Sequence, residues 1–219
     1  MIKEKTKSIL QNLPERADLV VAAKDRSREE IKQTIESGAK IIGENYLKQA
    51  KANYAFLGAK VKWHFIGHLQ KNKVRKAVKI FDMIETLDSL ALAEIINKES
   101  ERIKKVMPVL IEVNSASEPQ KFGIFPDEVL EFKEKVSRLP HLQVCGLMTM
   151  GPFIRDSEKI RPYFRKTKEI FDQIKNKNQG NQWKYLSMGM SSSYKVALEE
   201  GANIVRVGTA IFGPRQPKK

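Results

Sequence analysis

Short apolar runs alternate with amphipathic segments along the whole chain, which is the pattern of strands followed by helices. The runs that predict strands are Leu19–Ala23, Lys40–Ile42, Lys62–Phe65, Met83–Thr86, Pro108–Val113, Val144–Met148, Tyr185–Ser187 and Ile204–Val207. The predicted helices are Ile2–Asn12, Glu29–Ser37, Tyr46–Phe56, Lys71–Lys79, one capped by Asp88 or Ser89 that ends near Lys104, one that begins at Pro126–Glu128, Glu158–Asn176 and Tyr194–Glu200.

Eight predicted strands that alternate with helices favour an α/β protein with a closed parallel (β/α)8 barrel, also called a TIM barrel. The first helix, Ile2–Asn12, precedes the first strand and is therefore an addition to the barrel. An open, doubly wound sheet is the alternative, but the number of strands favours closure. Because no linker of disordered composition divides the chain, we predict a single domain over residues 1–219.

The composition excludes several classes of protein. The chain has 219 residues, of which 41% are hydrophobic, and this is enough for one packed core. The amino terminus lacks the apolar core of a signal peptide, and no apolar stretch approaches membrane-spanning length, so we expect a cytoplasmic protein. The lone Cys145 cannot form an internal disulfide and is expected to be a small buried residue, and no Cys/His spacing predicts a metal site.

The formal net charge of +14 could attract nucleic acid, anionic lipid or phosphorylated metabolites. The densest basic cluster consists of Lys71, Lys73, Arg75, Lys76 and Lys79, on one predicted helix. Two interpretations remain for this cluster: a solvated outer surface, or a surface for nucleic acid or another acidic partner. No interleaved aromatic residues support nucleic acid, so the solvated surface is favoured.

Lys24 ends the first strongly apolar run of the chain. A lysine at the carboxyl end of a buried barrel strand can hold an aldehyde as a Schiff base, because burial favours the neutral, nucleophilic amine. Taken alone, the same pattern fits a strand that ends at a solvated lysine.

A second candidate site lies near the other end of the chain. The segment 187–193 joins a predicted strand to a helix and contains Gly189 followed by three serines from Ser191, and Gly208 and Thr209 follow the last strand. Glycine permits close backbone approach, and free N–H groups and hydroxyls at such turns bind anions. In barrel enzymes the loops after strands seven and eight are frequent phosphate sites. The residues therefore predict a phosphate site, with plain helix capping as the alternative for the serines.

The first and last strands of a closed barrel are neighbours, so one ligand could contact both features. Pyridoxal 5′-phosphate (PLP) carries an aldehyde for Lys24 and a phosphate for the second site. The alternative is a phosphosugar aldolase, which would also need a lysine and a phosphate site. Arg206 shares a strand face with Gly208 and needs an acceptor, which could be a ring nitrogen, a second anionic group or a buried carboxylate.

Several sequence blocks in order identify a family. They are Gly43-Glu44-Asn45-Tyr46, Trp63 to Gln70, Lys121-Phe122-Gly123, Gly146 to Thr149, Ser187 to Ser191 and Val205 to Gly213. Together with the lysine, these blocks closely resemble the pyridoxal phosphate homeostasis protein family. That family looks like the N-terminal barrel domain of alanine racemase standing alone, and the resemblance spans about Leu19 to Gly213.

The resemblance implies roles for individual residues. It implies that Lys24 bears PLP, that Ser191, Gly208 and Thr209 contact its phosphate, and that Arg206 faces its pyridine nitrogen. An arginine at that nitrogen cannot give up a proton, which would leave the ring nitrogen unprotonated and weaken PLP as an electron sink. Asn45 is expected to border the cofactor.

Three further residues have two interpretations each. Met188 either packs against the cofactor or fills the core, and His64 and His68 are either acid–base groups or hydrogen-bonded structural residues. The chain also departs from the usual family pattern, with Ala23 and Asp25 beside the lysine where the family often has Ser and Thr.

The functional prediction is a PLP-binding protein that holds, buffers or delivers PLP and thereby affects amino-acid and keto-acid balance, without strong catalysis. The chain ends six residues after Gly213, so we expect no room for the second domain that supplies the opposite base in alanine racemases. The expected ligands are PLP and small amines or amino acids, with PLP-dependent enzymes as recipients and a monomeric state; nucleic acid and membrane are not expected. A small PLP-dependent racemase, a lysine-dependent aldolase and a basic interaction module are the alternatives.

Overall fold

The computed structural model describes residues 1–152, 154, 156–177 and 182–214. In this part of the chain, eight parallel strands close into a barrel in sequence order, with β1 paired to β8. The strands are β1 Asp18–Ala22, β2 Ile41–Glu44, β3 Lys62–Phe65, β4 Met83–Leu87, β5 Met107–Glu112, β6 Leu142–Met148, β7 Tyr185–Ser187 and β8 Ile204–Val207. The predicted (β/α)8 barrel is confirmed, and the open sheet was the wrong alternative.

Helices surround the barrel, and the first of them precedes β1 as predicted. They are α1 Ile2–Asn12, α2 Arg28–Glu36, α3 Leu47–Leu57, α4 Val74–Ala77, α5 Leu90–Glu101, α6 Val129–Val136, α7 Arg161–Lys177, α8 Tyr194–Glu199 and α9 Thr209–Phe212, with 3-10 turns at Gly58–Lys60, Lys71–Lys73 and Glu158–Ile160. Local signals explain several boundaries. The hydroxyl of Ser27 accepts from the N–H of Glu30, whose carboxylate accepts from the N–H of Ser27, and this reciprocal cap begins α2.

The hydrophobic core has two layers. The larger layer lies between the outer face of the barrel and the helices and includes Trp63, Phe81 and Phe164, all fully buried. Smaller clusters fill the barrel interior, one around Val20 and Ile66 and another around residues of β4 to β6. Because side chains alternate along each strand, the same strands supply both layers.

Gly146 is required where β6 pairs with both of its neighbours. Its φ is +152°, and a Cβ built there would lie 1.8 Å from the carbonyl oxygen of Tyr185 on β7. The pairing of β5 with β6 also shifts register between Val109 and Leu110, next to this residue. A glycine thus permits the close approach that lets β6 bulge and keep both partners.

Some predicted boundaries were wrong. The basic helix predicted over Lys71–Lys79 is a 3-10 turn followed by the short α4, and residues Pro126–Glu128 precede α6 instead of forming its first turn. Ser89 occupies the N-cap position of α5, but its hydroxyl donates to Asp88 and makes no capping hydrogen bond. The short α9 was not predicted, because four residues carry too little periodicity to show a helix.

The buried Cys145 fits its prediction as a small residue of the barrel interior. Burial raises the pKa of its thiol. Within the described residues, no helix is both long and apolar enough to span a membrane, and no cluster of three or more His, Cys, Asp or Glu side chains could hold a metal ion.

Candidate functional site

Lys24 lies two residues beyond the end of β1, in the loops that follow the carboxyl ends of the strands; we call this end of the barrel the mouth. Its side chain is half-buried and lines a cavity of about 810 Å³ together with Asn45. The Nζ atom lies 4.8 Å from the centroid of the Tyr46 ring, within the range of a cation–π interaction. The predicted amine is therefore at the mouth and accessible from a cavity.

Gln49, on α3, holds the loop that carries Lys24. Its Nε2 donates to the carbonyl oxygens of Ala23 at 3.3 Å and Arg26 at 3.2 Å, and its Oε1 accepts from the N–H of Asp25 at 3.1 Å. Asp25 has a φ of +59°, which is uncommon for a residue other than glycine. The three hydrogen bonds bracket Lys24 and fix this unusual backbone conformation.

Arg26 connects the same loop to the end of the barrel domain. Its Nη2 donates to the carbonyl oxygen of Gly213 at 2.5 Å, and its guanidinium lies 5.0 Å from the centroid of the Phe212 ring. The loop after β1 is thus tied on one side to α3 and on the other side to the residues after α9.

The predicted anion site is built from the loops after β7 and β8. The hydroxyl oxygen of Ser191 accepts hydrogen bonds from the N–H groups of Gly208 at 3.2 Å and Ala210 at 3.1 Å, so the two loops are in direct contact. The N–H groups of Ser191, Ser192 and Thr209 donate to no other residue that the structure describes. Unpaired N–H groups of this kind could bind an anion such as phosphate.

The serine run is used differently from a simple helix cap. Ser193 occupies the N-cap position of α8, but its hydroxyl makes no capping hydrogen bond and accepts from the N–H of Met190 at 3.2 Å. Gly189 has a φ of +86°, and a Cβ there would lie 2.6 Å from the Cβ of Ala197. The turn after β7 thus depends on a glycine, and one serine stabilises the loop while Ser191 faces the loop after β8.

The loop that carries Gly208 adjoins the strand that leads to Lys24. A Cβ built on Gly208 would lie 3.0 Å from the carbonyl oxygen of Ala22, so the loop after β8 lies directly against the end of β1. Lys24 follows Ala22 by two residues. One bound molecule could therefore contact Lys24 at one end and the donors near Ser191 at the other.

Arg206 lies inside the barrel, where it is only 4% exposed and pairs in register with Val20. Its Nη1 donates to the hydroxyl of Ser187 at 2.6 Å and its Nη2 to the carbonyl oxygen of Thr149 at 2.8 Å. The Ser187 hydroxyl in turn donates to Oε2 of Glu85 at 2.6 Å, and that oxygen lies 4.0 Å from Arg206. A buried carboxylate, one of the three predicted kinds of acceptor, thus faces the guanidinium.

The pKa values of two buried carboxyl groups near Arg206 are shifted in opposite directions from the ordinary value of a glutamate. Burial alone would raise the pKa of Glu85, but hydrogen bonds from His64 and Ser187 and the charge of Arg206 bring it below the ordinary value. Burial, aided by the charge of Asp88 and opposed by that of Arg206, raises the pKa of Glu112 to about 7. Glu112 lies at the mouth and lines a second cavity, of about 480 Å³.

Both histidines are placed as hydrogen-bonded residues. Nδ1 of His64 lies 2.7 Å from Oε1 of Glu85 inside the barrel, and the side chain is 5% exposed. His68 lies at the mouth, with Nδ1 3.1 Å from Oδ2 of Asp88 and its ring stacked on Phe122. These contacts favour the structural interpretation of both histidines.

Met188 is fully buried in the core layer beneath the helices, which favours its interpretation as a core residue. Asn45, by contrast, is half-buried beside Lys24, and its Nδ2 donates to the carbonyl oxygen of Ile66 at 3.4 Å. The sequence interpretation missed Gln49, Arg26 and the role of Tyr46. Tyr46 belonged to a recognised block, but nothing in the local pattern singled out the other two, since their partners are distant backbone atoms.

Replacing Gln49 with leucine is expected to reduce the affinity of the site for PLP about ten- to hundredfold, because loss of three hydrogen bonds at about 0.5–1 kcal/mol each frees the loop around Lys24. A PLP titration followed by absorbance checks this. Gln173→Leu, at an exposed position of α7, is the matched control and should leave the affinity unchanged. Equal affinity in the Gln49 variant and the unmodified protein would show that the hydrogen bonds do not position the lysine.

The family model for the alanine racemase N-terminal domain matches residues 2–216 of this chain. Among curated proteins, the chain is 40% identical over 201 residues to the pyridoxal phosphate homeostasis protein of Aquifex aeolicus, covering 91% of this chain and 88% of that protein. It is 35% identical over 204 residues to the protein of the same name from Pasteurella multocida, and this match covers 92% of this chain and 88% of that protein.

A solved structure agrees with these sequence matches. The structure of PipY from Synechococcus elongatus PCC7942 with PLP bound superposes on this barrel with a TM-score of 0.89. The two chains are 29% identical, and the match covers 97% of this chain and 100% of PipY. The chain belongs to the pyridoxal phosphate homeostasis protein family, whose barrel has the fold of the alanine racemase N-terminal domain.

Proposed function

We propose that this protein binds PLP as a Schiff base on Lys24 and acts in PLP homeostasis. The observation that carries the proposal is the contact between Gly208 and Ala22, which brings the amine and the anion site to one mouth. In this proposal Ser191, Gly208 and Thr209 hold the phosphate, Asn45 borders the cofactor and Arg206 faces the ring nitrogen.

The residues present fit this cofactor. The site offers an accessible amine, free N–H donors at a loop junction and a glycine where a side chain would collide with β1. A PLP molecule supplies an aldehyde for reversible capture by an amine and a phosphate for the donors. The named relatives are homeostasis proteins, and PipY binds PLP in the same fold.

The proposed role is storage or delivery of PLP without strong catalysis of its own. Arg206 is positively charged and donates hydrogen bonds to Ser187 and Thr149. A ring nitrogen beside it would accept a hydrogen bond from the guanidinium but would not be protonated by it. His64, a candidate second base, is enclosed in the barrel and hydrogen-bonded to Glu85. Small amines and amino acids are the proposed releasing ligands, and enzymes that use PLP are the proposed recipients. A cytoplasmic location, a monomeric state and one domain over residues 1–219 stay predictions.

Borohydride reduction tests the covalent assignment. The purified protein is incubated with PLP, reduced, digested and mapped by mass spectrometry, and the pyridoxyl group should be found on the peptide that carries Lys24. Modification mainly at other lysines would overturn the assignment.

A second arm of the experiment tests for catalysis. With PLP and L-alanine in deuterated water, the protein should exchange no more α-protons than it has sites. Rapid exchange beyond that stoichiometry would favour the racemase alternative.

A further inference from the structure

A lysine-lined cleft opens at the mouth beside the proposed PLP site. It is the outer part of the 810 Å³ cavity that Lys24 lines, and α3 and the segment around α4 form its walls. The lysines of these walls are Lys48, Lys51, Lys73 and Lys76; we call them the cleft lysines. Two of them belong to the basic cluster whose role the sequence left open.

The charge of the cleft is not compensated. All four cleft lysines are exposed, and none forms an ion pair with a carboxylate in the part of the chain that the structure describes. The residues that line the cavity include no Asp or Glu. Several like charges facing one cavity repel each other, so this arrangement is unfavourable for the isolated protein and becomes favourable with an anionic partner.

Exposed apolar side chains surround the same mouth. Of the nine large exposed hydrophobic side chains in the described residues, five lie in the segments directly after strands β2, β4, β5, β6 and β7. These five, which we call the apolar rim, are Tyr46, Leu90, Phe122, Met150 and Met190, with exposures from 38% to 57%. Exposed apolar groups gathered at one end of a protein with a charged border are typical of a protein interface.

The rim favours a protein over a nucleic acid as the partner. Its two methionines are flexible, apolar side chains that adapt to a protein surface but offer no stacking face to a base. Phe122 already stacks on His68, with ring centroids 3.7 Å apart, so one of its faces is occupied. The cleft lysines would supply the electrostatic attraction, and the rim would supply the apolar area removed from water.

We propose that the mouth is a docking surface for a folded protein whose complementary face combines acidic side chains for the cleft with apolar side chains for the rim. The further step, that this partner is the recipient of PLP, rests on the proposed function, since docking there would bring the partner to the opening above Lys24. The surface itself stands on the cleft and the rim.

Charge reversal tests the surface. A cleft variant carries Lys48→Glu, Lys51→Glu, Lys73→Glu and Lys76→Glu, and a control variant carries Lys7→Glu, Lys98→Glu, Lys166→Glu and Lys175→Glu at other exposed positions. Both variants have the same net charge. The probe is a fluorescein-labelled copolymer of glutamate and tyrosine, whose binding is measured by anisotropy at fixed ionic strength.

The cleft variant should bind the copolymer about tenfold more weakly than the unmodified protein, and the control variant should stay within about twofold. Met150→Asp, which leaves all lysines in place, should also weaken binding. Equal losses in the cleft and control variants would overturn the proposal, because the net charge alone would then explain binding. Tighter binding of single-stranded poly(A) RNA through the same lysines would overturn it in favour of nucleic acid.

The outcome for PLP is measured separately. The cleft variant should load PLP with the same absorbance change as the unmodified protein, and Lys24→Ala should retain copolymer binding within about twofold. Failure of the unmodified protein to bind the copolymer, with PLP loading intact, would overturn only the docking surface. Failure of the unmodified protein to load PLP, with docking intact, would overturn the proposed function and the recipient role.

Discussion

Lys24→Ala is expected to remove the visible absorption band that PLP gives when bound to the unmodified protein, and to lower PLP affinity by about 100-fold or more. In the proposed site this variant would lose the covalent link to the amine, while the donors near Ser191 would still hold the phosphate weakly. Absorbance titration measures both effects, and borohydride should leave no pyridoxyl group at the site.

Lys48→Ala is the matched control for this prediction. Lys48 lines the same cavity and is more exposed than Lys24, but it lies on α3 and not in the loop after β1. Its removal should leave the absorption band and the affinity unchanged. A Lys24 variant that kept the band, or a Lys48 variant that lost it, would contradict the assignment of the amine.

Glu85→Gln is expected to destabilise the fold by about 3 kcal/mol at neutral pH. Glu85 is fully buried and accepts from both His64 and Ser187, and its charge faces that of Arg206 inside the barrel. Removing the negative charge takes away the carboxylate that faces the buried guanidinium, and breaking a buried ion pair in this way typically costs about 3–5 kcal/mol. Urea unfolding at neutral pH measures the change, and a loss below about 1 kcal/mol would show that the network contributes little.

Glu44→Gln offers a matched control, because Glu44 is also fully buried but faces no cation among the residues that the structure describes. One of its carboxylate oxygens accepts from Asn53 at 2.7 Å, and the other has no hydrogen-bond partner among the described residues. Burial, opposed by the Asn53 hydrogen bond, raises the pKa of Glu44 from an ordinary 4.5 to about 7. Glutamine should therefore be tolerated and should stabilise the protein above neutral pH.

The two variants should also respond to pH in opposite directions. Because the pKa of Glu44 is raised on folding, the stability that this carboxyl contributes is present below about pH 4.5 and is lost as the pH rises through about 7. Over that pH range, the free energy of unfolding of Glu44→Gln should rise by up to about 3 kcal/mol relative to that of the unmodified protein. The pKa of Glu85 is lowered, so the stability that it contributes is lost as the pH falls below about 4.5. Unfolding measured at about pH 3, about pH 5 and about pH 8 separates the two, because Glu85 responds between the first pair and Glu44 between the second.

The fold could be predicted because its signals are local. The short apolar runs and the amphipathic segments between them indicated the strand order of a closed barrel, since short crossovers leave parallel strands few other arrangements. Boundaries near Lys71 and Pro126 were missed, because the turn preferences of a few residues do not outweigh packing against the barrel.

Whether a site residue could be predicted from the sequence depended on how far away along the chain its contacts lie. Lys24, Ser191 and Gly208 were identifiable because each follows a strand and has suitable chemistry. Gln49 and Arg26 were not, because their hydrogen bonds reach backbone atoms brought near only by folding, up to 187 residues away along the chain. The acceptor of Arg206 also stayed open until Glu85 and Ser187 were placed beside it.

The sequence by itself determined the barrel, the amine at the end of its first strand and the candidate anion-binding residues after its last two strands, because periodicity, glycine positions and residue chemistry are local properties. Only the tertiary structure decided which groups meet. It placed the loop after β8 against β1, enclosed Arg206 with Glu85, and gathered the cleft lysines beside the mouth. Closure of the barrel sets these contacts, since it joins strands that are far apart in the chain, and no local pattern records which side chains will then face each other.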